Sequence, residues 1–238
     1  MTIADQPLEK LGGRTSILAR QRADHARLDR LMARARDTLE TGGVAHQAAL
    51  RAVARLVFTH AFAEESVLFP AARRVLPDGD PLTLRIETDH QEVDELVTQL
   101  DRSSPDDPAH RELMERTFAV LDHDVRTEED ELLPRMQELH GPRRLRLIGW
   151  QWELVRRISP TRPHPVVSRR PPGQVLSALP LTVLDRARDL LQRLDEISHG
   201  RFTAPISTAD RLLATTAGAV ERIPVLQRGE RSETSRSE

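Results

Sequence analysis

Apolar residues recur every three or four positions over the first 140 residues, a spacing that is typical of amphipathic helices. This pattern predicts four long helices, at about 16–39, 45–75, 82–100 and 109–140. Glycine or proline lies in each of the three gaps between them, where helices are expected to end. The short gaps favour consecutive helices that run antiparallel. The predicted fold class is therefore all-α.

Titratable residues interrupt the predicted apolar stripes. His25, His60 and His90 each lie in the stripe of a different helix. Glu64 follows His60 by four residues, so both side chains can reach one point from a single helix face. Burying a carboxylate without a partner would cost on the order of several kcal/mol. A metal or another cation is therefore expected beside it.

The sequence repeats itself, and the repeat extends this set to four histidines. Asp24-His25 recurs as Asp89-His90, and each copy precedes a second histidine, a double acid and a Leu-x-Pro segment. In the first copy these are His60 and Glu64-Glu65; in the second they are His123 and Glu128-Glu129. Two antiparallel helix pairs in one bundle would let four histidines and two glutamates converge.

The second copy has an irregular spacing. His123 and Glu128 are five residues apart, and in an ideal helix they would point about 140° apart. A π-type bulge between them would bring both to the apolar face, and such bulges are frequent at functional sites. The interval from His60 to Glu64 needs no bulge. Imidazole and bridging carboxylate ligands suit two iron ions, with manganese or zinc not excluded.

Composition narrows the chemistry further. The 238 residues include no cysteine, which excludes disulfides, thiolate metal sites and iron–sulfur clusters. The formal net charge of −2 favours neither nucleic acid nor an anionic membrane as a partner. No apolar run reaches about 18 residues, and the N-terminus lacks the apolar segment of a signal peptide. A cytoplasmic location is expected, and the oligomeric state stays open.

The order of these residues, histidine first and carboxylate four or five positions later, resembles the hemerythrin-like (HHE cation-binding) family over about residues 14–140. His123 to Glu128 is similar to the His-x-x-x-Thr-Asp segment of hemerythrins. The resemblance implies an antiparallel up-down-up-down four-helix bundle. It also implies terminal ligands at His25, His60, His90 and His123, with Glu64 and Glu128 as bridges.

One departure from the family pattern bears on function. Oxygen-carrying hemerythrins have a His-x-x-x-His pair on the third helix, whereas Asp94 follows His90 here. Asp94 and its repeat mate Asp29 are interpreted as outer-shell groups. The more open site favours handling of hydrogen peroxide or NO, with a catalase-like activity and no catalytic residue beyond the metal ligands. An O2- or iron-sensing module without turnover is the alternative; a metal-free interaction protein would leave the in-phase glutamates unexplained.

The chain beyond residue 140 changes character. It is divided into an amphipathic helix and Pro/Arg-rich arm at 141–180, C-terminal helices at 181–223 and a disordered tail at 224–238. The arm is interpreted as a strap over the bundle, or less simply as a site for an acidic partner. Glu65 and Glu129 are interpreted as solvated acids, and Trp150 and Trp152 as packing anchors for the arm. Surface positions are expected for the remaining histidines: His46, His110, His140, His164 and His199.

Overall fold

A computed structural model describes residues 2–40, 42–198, 203–229 and 231–234. These residues form helices and connecting turns, with no strand among them, which confirms the all-α fold class. The α-helices are α1 (Ile17–Leu39), α2 (Gly43–Ala63), α3 (Phe69–Val75), α4 (Gly79–Leu100), α5 (Pro108–Thr127), α6 (Leu133–Leu139), α7 (Pro142–Arg157), α8 (Gly173–Ile197) and α9 (Thr203–Glu221). A short 3₁₀ helix follows at Pro224–Gln227. No helix in the described ranges is long and apolar enough to cross a membrane.

Two π-helical turns join these helices at equivalent places in the repeat. The first, Glu64–Leu68, connects α2 to α3, and the second, Glu128–Leu132, connects α5 to α6. In each, a backbone N–H bonds to the carbonyl five residues earlier, Phe69 to Glu64 and Leu133 to Glu128. A proline follows each turn by two residues. Because a proline ring clashes with the carbonyl four residues before it, a widened turn relieves that contact.

The core consists of two apolar clusters with a polar layer between them. Ile17 and Leu18 belong to the first cluster, and Leu28 and Met32 belong to the second. Along α1 the chain therefore passes from the first cluster to the second. Along α2 the order is reversed, because Val57 belongs to the second cluster and Leu68, beyond the end of the helix, belongs to the first. The direction alternates in the same way between α4 and α5. Five of the six predicted site residues lie in this polar layer: His25, His60, Glu64, His90 and Glu128.

Further helices cover this assembly. α7 packs on α1, on α2 and on the first π-turn, and its Trp152 is buried in the first apolar cluster. The approach to α1 is close, because a Cβ atom on Gly149 would lie 2.3 Å from the Thr15 carbonyl oxygen. α8 packs against α9.

The helix predictions were accurate for α1, α4 and α5, and less so for the C-terminal region. We expected a helix to begin near Pro180, but α8 begins at Gly173 and contains Pro180 in its interior. The turns of α8 that precede Pro180 are held by buried polar contacts. One of them is the hydrogen bond that the Gln174 side-chain N–H donates to Glu65 at 3.1 Å. Tertiary contacts therefore override the proline signal. His199 and Phe202 lie outside the described residues.

Candidate metal centre

Six buried side chains converge in the polar layer. His25 comes from α1, His60 from α2 and His90 from α4, while the two π-turns supply Glu64 and Glu128. The sixth is Asp124 of α5. Their ligand atoms form two groups, each with all atoms within 4.8 Å of one another: His25, His60, Glu64 and Glu128; and His90, Asp124 and Glu128. Because Glu128 belongs to both groups, they form one continuous cluster of possible cation ligands with a shared carboxylate.

The histidine Nε2 atoms all face carboxylate oxygens of this cluster. His25 Nε2 lies 3.1 Å from Glu128 Oε2, and His60 Nε2 lies 3.0 Å from Glu64 Oε1. His90 Nε2 lies 3.6 Å from an oxygen of Glu64 and 3.6 Å from one of Asp124. Neutral imidazole nitrogen and carboxylate oxygen form a donor set that iron and other first-row metals accept.

Several of these atoms lack a hydrogen-bond partner within the described part of the chain. They are His25 Nε2, Glu64 Oε2, Asp124 Oδ1 and both carboxylate oxygens of Glu128. Glu64 and Glu128 are fully buried. Leaving buried carboxylate oxygens unpaired is costly, and a bound cation removes that cost. The residues present therefore fit a metal.

The other nitrogen of each imidazole, Nδ1, meets a carboxylate outside the cluster. His25 Nδ1 lies 2.7 Å from Glu129, His90 Nδ1 lies 2.9 Å from Glu65, and His60 Nδ1 lies 3.4 Å from Asp24. A carboxylate on Nδ1 keeps the proton there and turns the lone pair of Nε2 toward the centre. Each of the three imidazoles is thereby oriented for metal binding.

Without a metal, these imidazoles retain protons. Burial alone would lower the pKa of His25, but the carboxylates of Glu128 and Glu129, 3.1 and 2.7 Å from its ring nitrogens, outweigh burial and raise that pKa to about 9. The pKa values of His60 and His90 are also well above their usual range, because carboxylates surround both rings despite their burial. Burial and the neighbouring Glu64 raise the pKa of Glu128. The cluster therefore holds extra protons that a cation would displace.

A small cavity adjoins the cluster. Its volume is about 30 Å³, and its lining includes the three imidazoles together with Asp94, Asp124 and Arg169. Apolar side chains such as Val57 and Phe58 complete the wall. A space of this size holds one or two small molecules of the size of water.

A comparison with protein-family models matches residues 16–136 to the hemerythrin HHE cation-binding domain. The chain belongs to the hemerythrin HHE cation-binding family. No curated protein sequence and no solved structure gives a significant match to it. The predicted family is thus confirmed, and the HHE domain is identified as a cation-binding domain with its donor residues grouped at one place.

The HHE domain brings together five of the six predicted site residues, and the expectation for His123 is wrong. The His123 side chain is 66 % exposed, and its nearest acidic neighbour is Asp89 at 3.8 Å. The π-turn begins at Glu128 and not before it, so the stretch from His123 to Glu128 keeps α-helical spacing. Asp124, four residues before Glu128, therefore faces the cluster, and His123 faces solvent.

The interpretation of Glu65 and Glu129 as solvated acids is also wrong. Glu65 is buried, and Glu129 is half-buried. Each holds the imidazole contributed by the other half of the repeat, so Glu65 binds His90 and Glu129 binds His25. The double acid of each repeat thus supplies one carboxylate to the cluster and one to its outer shell.

The arm supplies an outer-shell residue that the sequence did not reveal. The Arg169 guanidinium, buried in the HHE domain, donates to Glu65 at 2.8 Å and forms an ion pair with Asp94. Arg169 lowers the pKa of Glu65 against the opposing effect of burial. Asp94 is therefore linked through Arg169 to Glu65, the partner of His90, whereas its repeat mate Asp29 is exposed.

Other expectations for single residues need correction. His46 and His110 are buried and in contact, with 3.0 Å between their Nε2 atoms. His164 lies between Asp185 and Glu221, at 3.1 and 2.9 Å. His140 is half-buried. Helical spacing to a carboxylate thus failed to identify buried histidines that pair with distant residues. Trp150 is exposed, while Trp152 packs 5.4 Å from the His60 ring.

Proposed function

We propose that this domain holds two iron ions and that it consumes hydrogen peroxide. His25, His60 and Glu64 would bind the first ion, His90 and Asp124 the second, and Glu128 would bridge both. The observation that carries the proposal is the set of five buried ligand atoms, from four residues, that lack hydrogen-bond partners in the described chain. They belong to two groups that share Glu128, which favours two ions over one.

Asp124 makes the two proposed sites unequal. The first would have two imidazoles, whereas the second would have one imidazole and the Asp124 carboxylate. A carboxylate is an anionic and harder donor than imidazole and therefore favours the more highly charged state of an ion. Burial raises the pKa of Asp124, and a cation bound beside this carboxylate would oppose that effect.

The size and lining of the adjoining cavity support a small substrate. Two molecules of hydrogen peroxide would yield one O2 and two molecules of water, so no other reductant is needed. The paired iron ions would supply the two-electron chemistry. The chain's own contribution is a cavity of about 30 Å³ that excludes larger reductants, with the Arg169–Asp94 pair at its wall. NO is the second ligand of suitable size.

A sensing role is favoured by one separate observation. Arg169 and Gln174 both contact Glu65, and Glu65 holds the Nδ1 atom of His90. A change in ligation at His90 would therefore reach the loop between α7 and α8. In this second candidate function, O2 or iron occupancy changes the C-terminal region and the small ligand is not turned over.

We further propose the up-down-up-down arrangement for α1, α2, α4 and α5. Its support is the alternating order in which these helices pass through the two apolar clusters. The division of the chain into segments at residues 140, 180 and 223 stays a prediction. α7 shares the first apolar cluster with the bundle, through Leu145 and Ile148 among others.

Metal analysis combined with an oxygen-release assay tests the proposal. The wild-type chain is expected to retain about two iron ions, as two-metal sites do, and to release O2 from added peroxide. His60→Ala is expected to lose iron and activity. The matched control is His123→Ala, which removes an exposed imidazole and is expected to change neither.

The outcomes separate the candidates. Full iron content in His60→Ala would contradict the proposed ligand set. Iron retention with no O2 release, together with a stable O2 adduct and a changed protease sensitivity of residues 158–172, would favour sensing over turnover.

A further inference from the structure

A second cavity lies away from the metal cluster, between helices α2, α7 and α8. Its volume is about 520 Å³, within the range of small-molecule sites. α2 contributes Arg51 and Arg55 to its lining, and α8 contributes Arg186 and Arg193. Residues at these spacings share one face of a helix, so both helices turn a basic face toward the same space.

The remaining lining adds more positive charge. Arg156 and Arg157 come from α7, and Arg27 comes from α1. Among the described lining residues the acids are Glu153 and Asp189, so seven guanidinium groups and two carboxylates leave five positive charges. Glu153 is bound by both α7 arginines, at 2.9 and 2.7 Å. Like charges held together in a cleft repel one another and attract anions.

We infer that this arginine cleft binds a small compound with several phosphate groups. The planar guanidinium fork matches phosphate oxygens and binds them in pairs. Seven arginines exceed what a single phosphate can contact, so the chemistry favours condensed or multiple phosphates. The rest of the described lining is aliphatic or neutral polar, such as Ala52 and Thr59, with no aromatic ring on which a base would stack. The phosphates, and not a nucleobase, are therefore what the cleft recognises.

The arginine cleft is separate from the proposed iron site. None of its lining residues belongs to the two groups of candidate metal ligands. The two regions adjoin, since Leu56 lines both cavities and Arg156 Nη1 lies 3.6 Å from Asp24, which lies beside His60. Failure of one proposal therefore leaves the other unaffected.

Calorimetric titration of the iron-loaded chain with tripolyphosphate, pyrophosphate and orthophosphate tests the inference. Tripolyphosphate is expected to bind at one site per chain, about tenfold or more tightly than orthophosphate. Arg186→Gln/Arg193→Gln is expected to weaken that binding about tenfold or more, because each change removes a charged donor. Both residues are exposed on α8, so folding should be preserved.

Two controls distinguish the cleft from other causes of binding. Arg30→Gln/Arg34→Gln removes two exposed arginines of α1 that do not line the cleft, and less than about a twofold change is expected. His60→Ala is expected to bind tripolyphosphate normally, which excludes capture of the phosphate by iron. Absence of binding, or an equal loss in both double variants, would overturn the inference. It would also be overturned if short single-stranded DNA bound more tightly than tripolyphosphate with the same dependence on Arg186 and Arg193.

Discussion

The two halves of the repeat, α1 with α2 and α4 with α5, have the same backbone design but unequal chemistry. Each half ends in a π-turn that begins with a double acid and precedes a proline. The second acid of each double acid also contacts a histidine of the other half, Glu65 with His90 and Glu129 with His25. The position four residues before the first acid is His60 in one half and Asp124 in the other. A repeated scaffold can therefore place different donors at equivalent positions of one cluster.

The carboxylates next to these two positions also differ between the halves. Asp24 lies beside His60 Nδ1, and His60 lowers the pKa of Asp24 despite its burial. For the equivalent Asp89, burial and the negative charge of Asp124 raise the pKa. The segments that pack over the two halves differ as well. Helix α7 packs on α1 and α2, whereas Arg169 and Arg170 of the arm bind acids of α4.

The largest effect is expected from Glu128→Ala, because Glu128 is the carboxylate common to both halves. Loss of a shared ligand should abolish binding of both ions, whereas Asp124→Ala should release only the second. Metal-to-protein ratios after desalting measure this difference. Retention of one ion in Glu128→Ala would show that the carboxylate is not shared.

A smaller effect is expected from the outer-shell acids, and it should be similar in the two halves. Glu129→Gln and Glu65→Gln weaken the hold on His25 and His90, so each should lower metal affinity about 10- to 100-fold. Competition with a chelator measures the affinities. Asp130→Asn, which changes an exposed neighbour of Glu129, is the control and should leave the affinity as it is. A loss of metal affinity in only one of these two variants would contradict the equivalent roles proposed for Glu129 and Glu65.

The protonated imidazoles predict a pH dependence for the metal-free chain. The folded-state pKa of His25 is about 9, above the ordinary value of about 6.5. Protonated His25 therefore contributes to the free energy of unfolding in full below about pH 6.5, and this contribution is lost as the pH rises through about 9. Thermal unfolding with a chelator present should show a falling Tm over that window, and iron binding at pH 7 should release protons.

The iron-loaded chain provides the control for this pH prediction, since its ligated imidazoles carry no displaceable proton on Nε2. Its Tm should change less between pH 6.5 and 9 than that of the metal-free chain. A metal-free Tm that rises through this window would contradict the assigned protonation of His25.

The smallest effect is expected where α7 covers the first half. Gly149→Ala places a methyl group against the backbone of Thr15 and Ile17, and overpacking of this kind costs about 1–3 kcal/mol. Urea unfolding measures the loss of stability. Gly218→Ala, at a helical glycine with open space around its Cβ position, should be neutral or slightly stabilising. Equal effects of the two changes would mean that α7 does not pack closely on α1.

Much of this architecture could be predicted from local sequence, because helical periodicity reports which face of each helix is buried. The same periodicity identified His25, His60, Glu64 and His90. The prediction for His123 came from pairing the second histidine of each repeat copy and from a π-type bulge expected before Glu128, whereas the π-turn begins at Glu128. Alignment of the repeat on its double acids pairs Asp124 with His60, so the correct residue was signalled within the sequence itself.

Contacts between distant segments left no such signal. Arg169 reaches Glu65 and Asp94 from a part of the chain that has no helical periodicity, and its role depends on the path of the arm. The arginine cleft likewise arises from arginines of four helices, α1, α2, α7 and α8, which meet only in the folded chain. Charges on single helices are usually solvated, so only their placement together indicates a binding site.

Diffraction from crystals of the iron-loaded chain, with anomalous scattering at the iron edge, tests the central claim most directly. Two peaks are expected, about 3.5–4 Å apart. Glu128 should contact both, Asp124 only the one nearer His90, and the His123 imidazole should remain in solvent. A single peak, or a peak ligated by His123 with Asp124 turned away, would contradict it.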